Sequence, residues 1–237
     1  MISKMHKSTR ILCIMHFLGN AILLWVAYAW LSIGESSMIL LTESILLGIV
    51  IAIAALWLHG SALAHFAAED RSRLRPALGA ALRHLPPLFL LAIMAVVLYG
   101  LTVWLDSLME TKTGVVRTVS DVAIWVLQWL ILPVLLLPLA TGVVTKGFLG
   151  FSHEAWRRSK RLIYWVEVVV LLLAGIWVPL KLVTWVPKLD GFGLQMTSFL
   201  IRLLVAYLLF VVAWLLLESF SSGGKPRTSQ AMTASAP

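Results

Sequence analysis

The chain has 237 residues, 60% of them hydrophobic and only 13% charged, with a net charge of +8. Water-soluble domains carry about 45–50% apolar and about 25% charged residues, so this composition excludes an ordinary soluble domain. The single cysteine, Cys13, excludes an internal disulfide and a CxxC metal or redox motif.

The apolar residues gather in six blocks, each close to or above the roughly 20 residues that a helix needs to cross a hydrocarbon core of about 30 Å. The polar stretches between and after them are too short to bury a core of their own. The sequence therefore reads as an all-α, polytopic transmembrane bundle over 1–220. A Ser-, Thr-, Gly-, Ala- and Pro-rich tail over 221–237 reads as disordered and cytoplasmic.

The first span is expected over 11–33. Its basic start and the small-x-small triplet Ala27-Tyr28-Ala29 resemble a cleavable leader. The apolar run continues to Ile33, however, and His16 and Asn20 interrupt it, which favours an uncleaved helix. A second span over 38–65 follows the turn Gly34-Glu35-Ser36-Ser37, making a tight hairpin. It carries a stripe of Ser44, Gly48, Ala52, Ala55 and His59, which lets helix backbones approach closely. Further spans are expected over 88–106, 121–145, 162–186 and 196–219. Pro133 and Pro138 fall in the fourth and Pro179 in the fifth, where a missing backbone donor kinks a helix.

Lysine and arginine alternate by side. One side holds Lys4, Lys7 and Arg10, then Arg71, Arg73, Arg75 and Arg83, then Lys146, Arg157, Arg158, Lys160 and Arg161, then Lys225 and Arg227. The other holds Lys112, Arg117 and Lys188. Basic loops stay in the cytoplasm, so both termini are expected there. That rule accounts for the net charge without a nucleic-acid partner. In the first basic loop Pro76 opens a short amphipathic helix with Leu74, Leu78, Ala81 and Leu85 on one side. In the second, Ser152 is a plausible N-cap and Phe148, Phe151 and Trp156 lie beside Arg157, Arg158 and Arg161. Apolar and basic residues together suit helices lying on an anionic leaflet, and equally suit plain positive-inside connectors.

Ionisable groups inside spans are the candidates for chemistry, because each is costly unless paired or hydrated. They are His16, Glu43, His59, Glu167, Lys181 and Arg202, with Asn20 and Gln128 as uncharged polar companions. At 1.5 Å per residue, Glu43, Lys181 and Arg202 share a depth on the outer side, and His16, His59 and Glu167 share one on the inner side. This predicts that Glu43 pairs with Arg202 or Lys181, and that Glu167 lies near His59. The alternative is that the cations snorkel to the surface and the polar groups serve packing alone. No P-loop, GxSxG, HExxH or dinucleotide-binding GxGxxG is present, and no catalytic residue, cofactor or metal-ligand set is implied.

Ala81-Leu82-Arg83 before the third span echoes Ala155-Trp156-Arg157 before the fifth, and Leu98-Tyr99-Gly100 echoes Leu173-Ala174-Gly175. The tight hairpin, the basic juxtamembrane segment, and the approaches Ala80-Ala81-Leu82-Arg83-His84-Leu85-Pro86 and Glu154-Ala155-Trp156-Arg157-Arg158 resemble the membrane domains attached to some bacterial glycerophosphodiester phosphodiesterases and their relatives. The phosphodiesterase domain is absent from this sequence, so the resemblance implies a bacterial inner-membrane protein and no activity. The expected function is non-enzymatic: organising lipid, above all anionic lipid, or a partner membrane protein or further copies of itself. A small permease or channel subunit acting as an oligomer is the alternative.

Overall fold

An α-helix satisfies its own backbone polar groups, and this sequence uses that solution throughout. The computed structural model describes residues 7–33, 36–151, 160–188 and 190–222, and no strand occurs among them. The elements are α1 (Lys7–Leu31), α2 (Met38–Ala67), α3 (Arg75–Arg83), α4 (Leu85–Met109), α5 (Gly114–Val126), α6 (Leu132–Lys146), α7 (Leu162–Leu172), α8 (Val178–Thr184) and α9 (Phe192–Ser221). Six helical stretches are long and apolar enough to cross a membrane. They are α1, α2, α4, the joined α5 and α6, the joined α7 and α8, and α9. Ser37 caps α2 by accepting from the Leu40 amide, which fixes the turn of the first hairpin.

The expected proline kinks take a particular form. A π turn, Leu127–Ile131, joins α5 to α6, and another, Leu173–Trp177, joins α7 to α8. Each is followed two residues later by a proline, Pro133 or Pro179. Proline supplies no amide and crowds the carbonyl one turn back, so a locally wider turn relieves the clash. The two π turns contribute to one apolar cavity of about 220 Å³ with Trp125, Trp129 and Trp177 in its wall.

Three apolar clusters hold the bundle together at its basic end. Leu63, Leu88, Leu91, Val143 and Val144 join α2, α4 and α6, with Ala77 and Ala81 of α3 packed onto them. Leu12, Ala62, Phe66, Val211 and Leu215 join α1, α2 and α9. Val134, Tyr164, Val168 and Leu217 join α6, α7 and α9. The short helix α3 therefore turns its small residues onto the bundle and leaves Arg75, Leu82 and Arg83 exposed. Gly147 adopts φ +63° at the end of α6, a conformation open to glycine. A Cβ on Gly150 would overlap the backbone of Gly142 and Val143, so the 3-10 turn Gly147–Phe151 folds directly back on α6.

The paired glycines of the sequence echo do unlike things. Gly100 has nothing near the place of a Cβ, whereas a Cβ on Gly175 would lie 2.6 Å from Cβ of Ala213, where the fifth span meets α9. The second half of the echo, Ala155-Trp156-Arg157, lies outside the described residues, as do Ser152, Glu154, Arg158 and the tail from 223 onward. Ser221 and Ser222 are buried, the latter donating to the Leu63 carbonyl at 3.2 Å, so the last span runs past the expected boundary at 219.

Candidate functional site

Two histidines and a glutamate meet inside the bundle. A Cβ on Gly19 would press on Leu58, so the glycine lets α1 come close to α2 there. One turn before Gly19, His16 lies fully buried with Nε2 3.1 Å from the Leu58 carbonyl oxygen. A carbonyl only accepts, so this nitrogen carries the proton. Asn20 follows on the same face and donates from Nδ2 to the His16 carbonyl at 2.8 Å. The Tyr207 hydroxyl donates to the Phe17 carbonyl, and the two rings meet edge to face at 5.1 Å, which ties α9 to α1 beside the histidine.

His59 stands on α2 with its ring centroid 5.2 Å from that of His16. Its Nδ1 is 2.7 Å from Oε1 of Glu218, a residue only 1% exposed near the end of α9. The other carboxylate oxygen, Oε2, is 3.9 Å from His16 Nε2. Neither Oε2 nor His16 Nδ1 makes a hydrogen bond among the described residues. Trp214, one turn before Glu218, packs its ring edge to face against His59 at 5.6 Å. Its indole Nε1 stands beside the carboxylate, short of hydrogen-bond geometry. One ligand atom from each of His16, His59 and Glu218 falls within 4.8 Å of the others.

The inner layer read from the sequence is thus assembled differently. His16 and His59 do converge, with Asn20 bonded to the His16 carbonyl, but their acidic partner is Glu218 rather than Glu167. Glu167 is half-buried on α7 and forms no ion pair among the described residues. Glu218 is not legible in the sequence as a buried group, because it sits one residue inside the expected end of the last span, where a carboxylate ordinarily meets water. Its apolar neighbours Leu215, Leu216 and Leu217 were the available signal.

The outer layer does not form. Glu43 is exposed on the second turn of α2, with no ion pair among the described residues. Arg202 instead donates to the carbonyls of Ser198, Leu182 and Trp185, with the Phe199 and Trp185 rings each 5.9 Å away. It binds the carbonyls where α8 ends, an arrangement that removes the need for a carboxylate. Lys181 lies over the Trp177 ring at 5.8 Å. Gln128, in the first π turn, donates to the Thr102 hydroxyl at 2.7 Å and joins the third and fourth spans.

Of the residues expected at a leaflet surface, Arg71 turns inward. Its Nη2 donates to the Phe66 carbonyl at 2.6 Å, and its own carbonyl accepts from Ser8. Arg73, Arg75, Arg83, Phe148 and Arg161 are exposed, while Phe151 packs partly against the α2–α4–α6 cluster. Trp156, Arg157 and Arg158 lie outside the described residues.

Fold and site together define a multi-pass helical membrane protein with a buried His–His–Glu cluster near its basic end. Compared with known protein families, with curated proteins and with solved structures, the chain matches none.

Proposed function

We propose that the chain is a non-enzymatic protein of a bacterial inner membrane that organises anionic lipid or a partner membrane protein, with its basic end and both termini in the cytoplasm. The alternating lysine and arginine content supports that orientation. The observation that carries the reading is the contrast between inside and outside. Inside, Glu218 is partnered by His59, Gln128 by Thr102 and Arg202 by backbone carbonyls, with one oxygen of Glu218 and one ring nitrogen of His16 left over. Outside, two apolar hollows lie between the helices, where a bilayer would face them. One is the tryptophan-walled cavity at the π turns. The other, of about 350 Å³, runs between α1 and α9 along Cys13, Phe17, Leu208 and Leu215. A hollow lined by apolar side chains in a bilayer accepts an acyl chain or a neighbouring helix, and has nothing to offer a hydrated solute.

The exposed Arg73, Arg75 and Arg83 supply the complementary feature for anionic headgroups at the basic end, toward which the α1–α9 hollow lies. The alternative is a small permease or channel subunit acting as an oligomer, for which the buried His16–His59–Glu218 cluster would be the ion-handling group. Glu43, Lys181 and Arg202 form no ion pair with one another among the described residues, which speaks against a second polar layer for such a path.

The test is native mass spectrometry of the full chain from mild detergent, joined to flux measurements in proteoliposomes. The expected result is retained anionic phospholipid, reduced in the triple variant Arg73→Ala, Arg75→Ala, Arg83→Ala, with proton and cation flux no greater than in empty vesicles. Flux that disappears in Glu218→Gln would overturn the organiser reading and favour the permease.

A further inference from the structure

We propose that His16, His59 and Glu218 form a binding site for one divalent transition-metal ion of the zinc class, fastening the first, second and sixth spans together. This stands whether the bundle organises lipid or moves a solute. No sequence motif announces the site, because its ligands come from three helices far apart in the chain.

Two imidazole nitrogens and a carboxylate oxygen are the donor set that zinc and its borderline neighbours take. Around an ion held at about 2.0–2.1 Å in tetrahedral geometry, neighbouring ligand atoms lie about 3.3 Å apart. Here Nδ1 of His59 is 2.7 Å from Oε1 of Glu218, Nε2 of His16 is 3.9 Å from its Oε2, and one ligand atom from each residue falls within 4.8 Å of the others. Side-chain shifts of about 1 Å bring such a set into a first coordination shell.

The site also has unspent bonding capacity. A carboxylate this deeply buried ordinarily satisfies both oxygens, yet Oε2 of Glu218 accepts no hydrogen bond among the described residues. That oxygen and a ring nitrogen of His16 face each other across the space that an ion would fill. His59, with 24% of its side chain exposed, leaves an approach to the cluster, and a water would complete the set as fourth ligand. Calcium and magnesium prefer all-oxygen shells and fit this set poorly.

The exchange balances without a redox step. The short His59–Glu218 contact holds one bridging proton between nitrogen and oxygen. A divalent ion takes the place of that proton, which leaves to solvent. His16 exchanges its bond to the Leu58 carbonyl for the ion, and its Nε2 proton passes to Nδ1, which has no hydrogen-bond partner among the described residues. Binding therefore releases protons and weakens as the medium is acidified.

The experiment uses the full chain in detergent, stripped with a chelator and titrated with Zn²⁺, and with Co²⁺ as a spectroscopic probe. One Co²⁺ per chain should bind and give visible bands of a nitrogen–oxygen site, displaced by Zn²⁺ and not by Mg²⁺. Glu218→Gln and His59→Ala should each weaken Zn²⁺ binding by at least about tenfold, the loss that removal of even a ligand's hydrogen-bond partner brings. Glu43→Gln, on an exposed face of α2, should bind as the parent does. Should the cluster variants fail to fold, the parent alone decides. A rise of its unfolding temperature with Zn²⁺, with release of protons, supports the site. Absence of stoichiometric Co²⁺ or Zn²⁺ binding by the folded parent overturns it, as does binding unchanged in folded Glu218→Gln.

Discussion

Nδ1 of His59 and Oε1 of Glu218 lie 2.7 Å apart, joining the second span to the sixth in a region where the carboxylate sees almost no solvent. A charged group in hydrocarbon is costly unless paired, and this pair, with His16 alongside, makes burial of Glu218 tolerable. Most other candidate groups are neutralised more locally, by a backbone carbonyl, an aromatic face or a single hydroxyl.

Arg202 provides a first prediction. Its guanidinium reaches carbonyls of both α8 and α9 with several donors in a fixed fork, which a lysine cannot reproduce. Arg202→Lys should destabilise the protein by about 1–2 kcal/mol and speed amide exchange near Leu182–Trp185. Glu43→Gln should change stability by less than about 0.5 kcal/mol, alone or with Arg202→Lys, because Glu43 is exposed. Mutual rescue of the two substitutions would contradict the geometry. Unfolding in mixed micelles measures both.

The approach of the fifth span to the sixth at Gly175 gives a second. A methyl there would meet Cβ of Ala213 at 2.6 Å, and both backbones are held by the surrounding bundle. Gly175→Ala should cost about 1–3 kcal/mol, the usual range for overpacking. Ala213→Gly should restore part of it when combined, and thermal unfolding of the double variant checks this.

Orientation gives a third. In a Cys13→Ala background, cysteines at Ser36 and Ser107 should react with an impermeant thiol reagent added outside sealed cells, and one at Ser229 should not. Those first two positions lie at the end of the bundle opposite the basic loops. Labelling of Ser229 from outside would reverse the topology.

The six spans were legible because hydropathy and length alone specify a membrane helix. The first was expected over 11–33 and forms over Lys7–Leu31. The contacts were not legible. Depth can be counted from a span end, but rotation about the helix axis and the offset between neighbours cannot. Glu43 and Arg202 share a depth, yet Arg202 is occupied at the close of α8. Glu167 shares a depth with His59, yet Glu218 reaches it, because α9 ends level with Leu63 and tucks its last turn against α2. The prolines were visible, but not that Pro133 and Pro179 would each follow a π turn and so shape one shared cavity.

The most direct test is a double-mutant cycle on His59→Ala and Glu218→Ala, measured as unfolding free energy in mixed micelles with a chelator present so that no bound metal contributes. Removing either partner strands the other, so the double variant should be less damaged than the sum of the singles. The coupling should be about 0.5–2 kcal/mol, the scale of polar contacts between membrane helices. Additivity to within about 0.3 kcal/mol would contradict the claim that this pair binds the second span to the sixth.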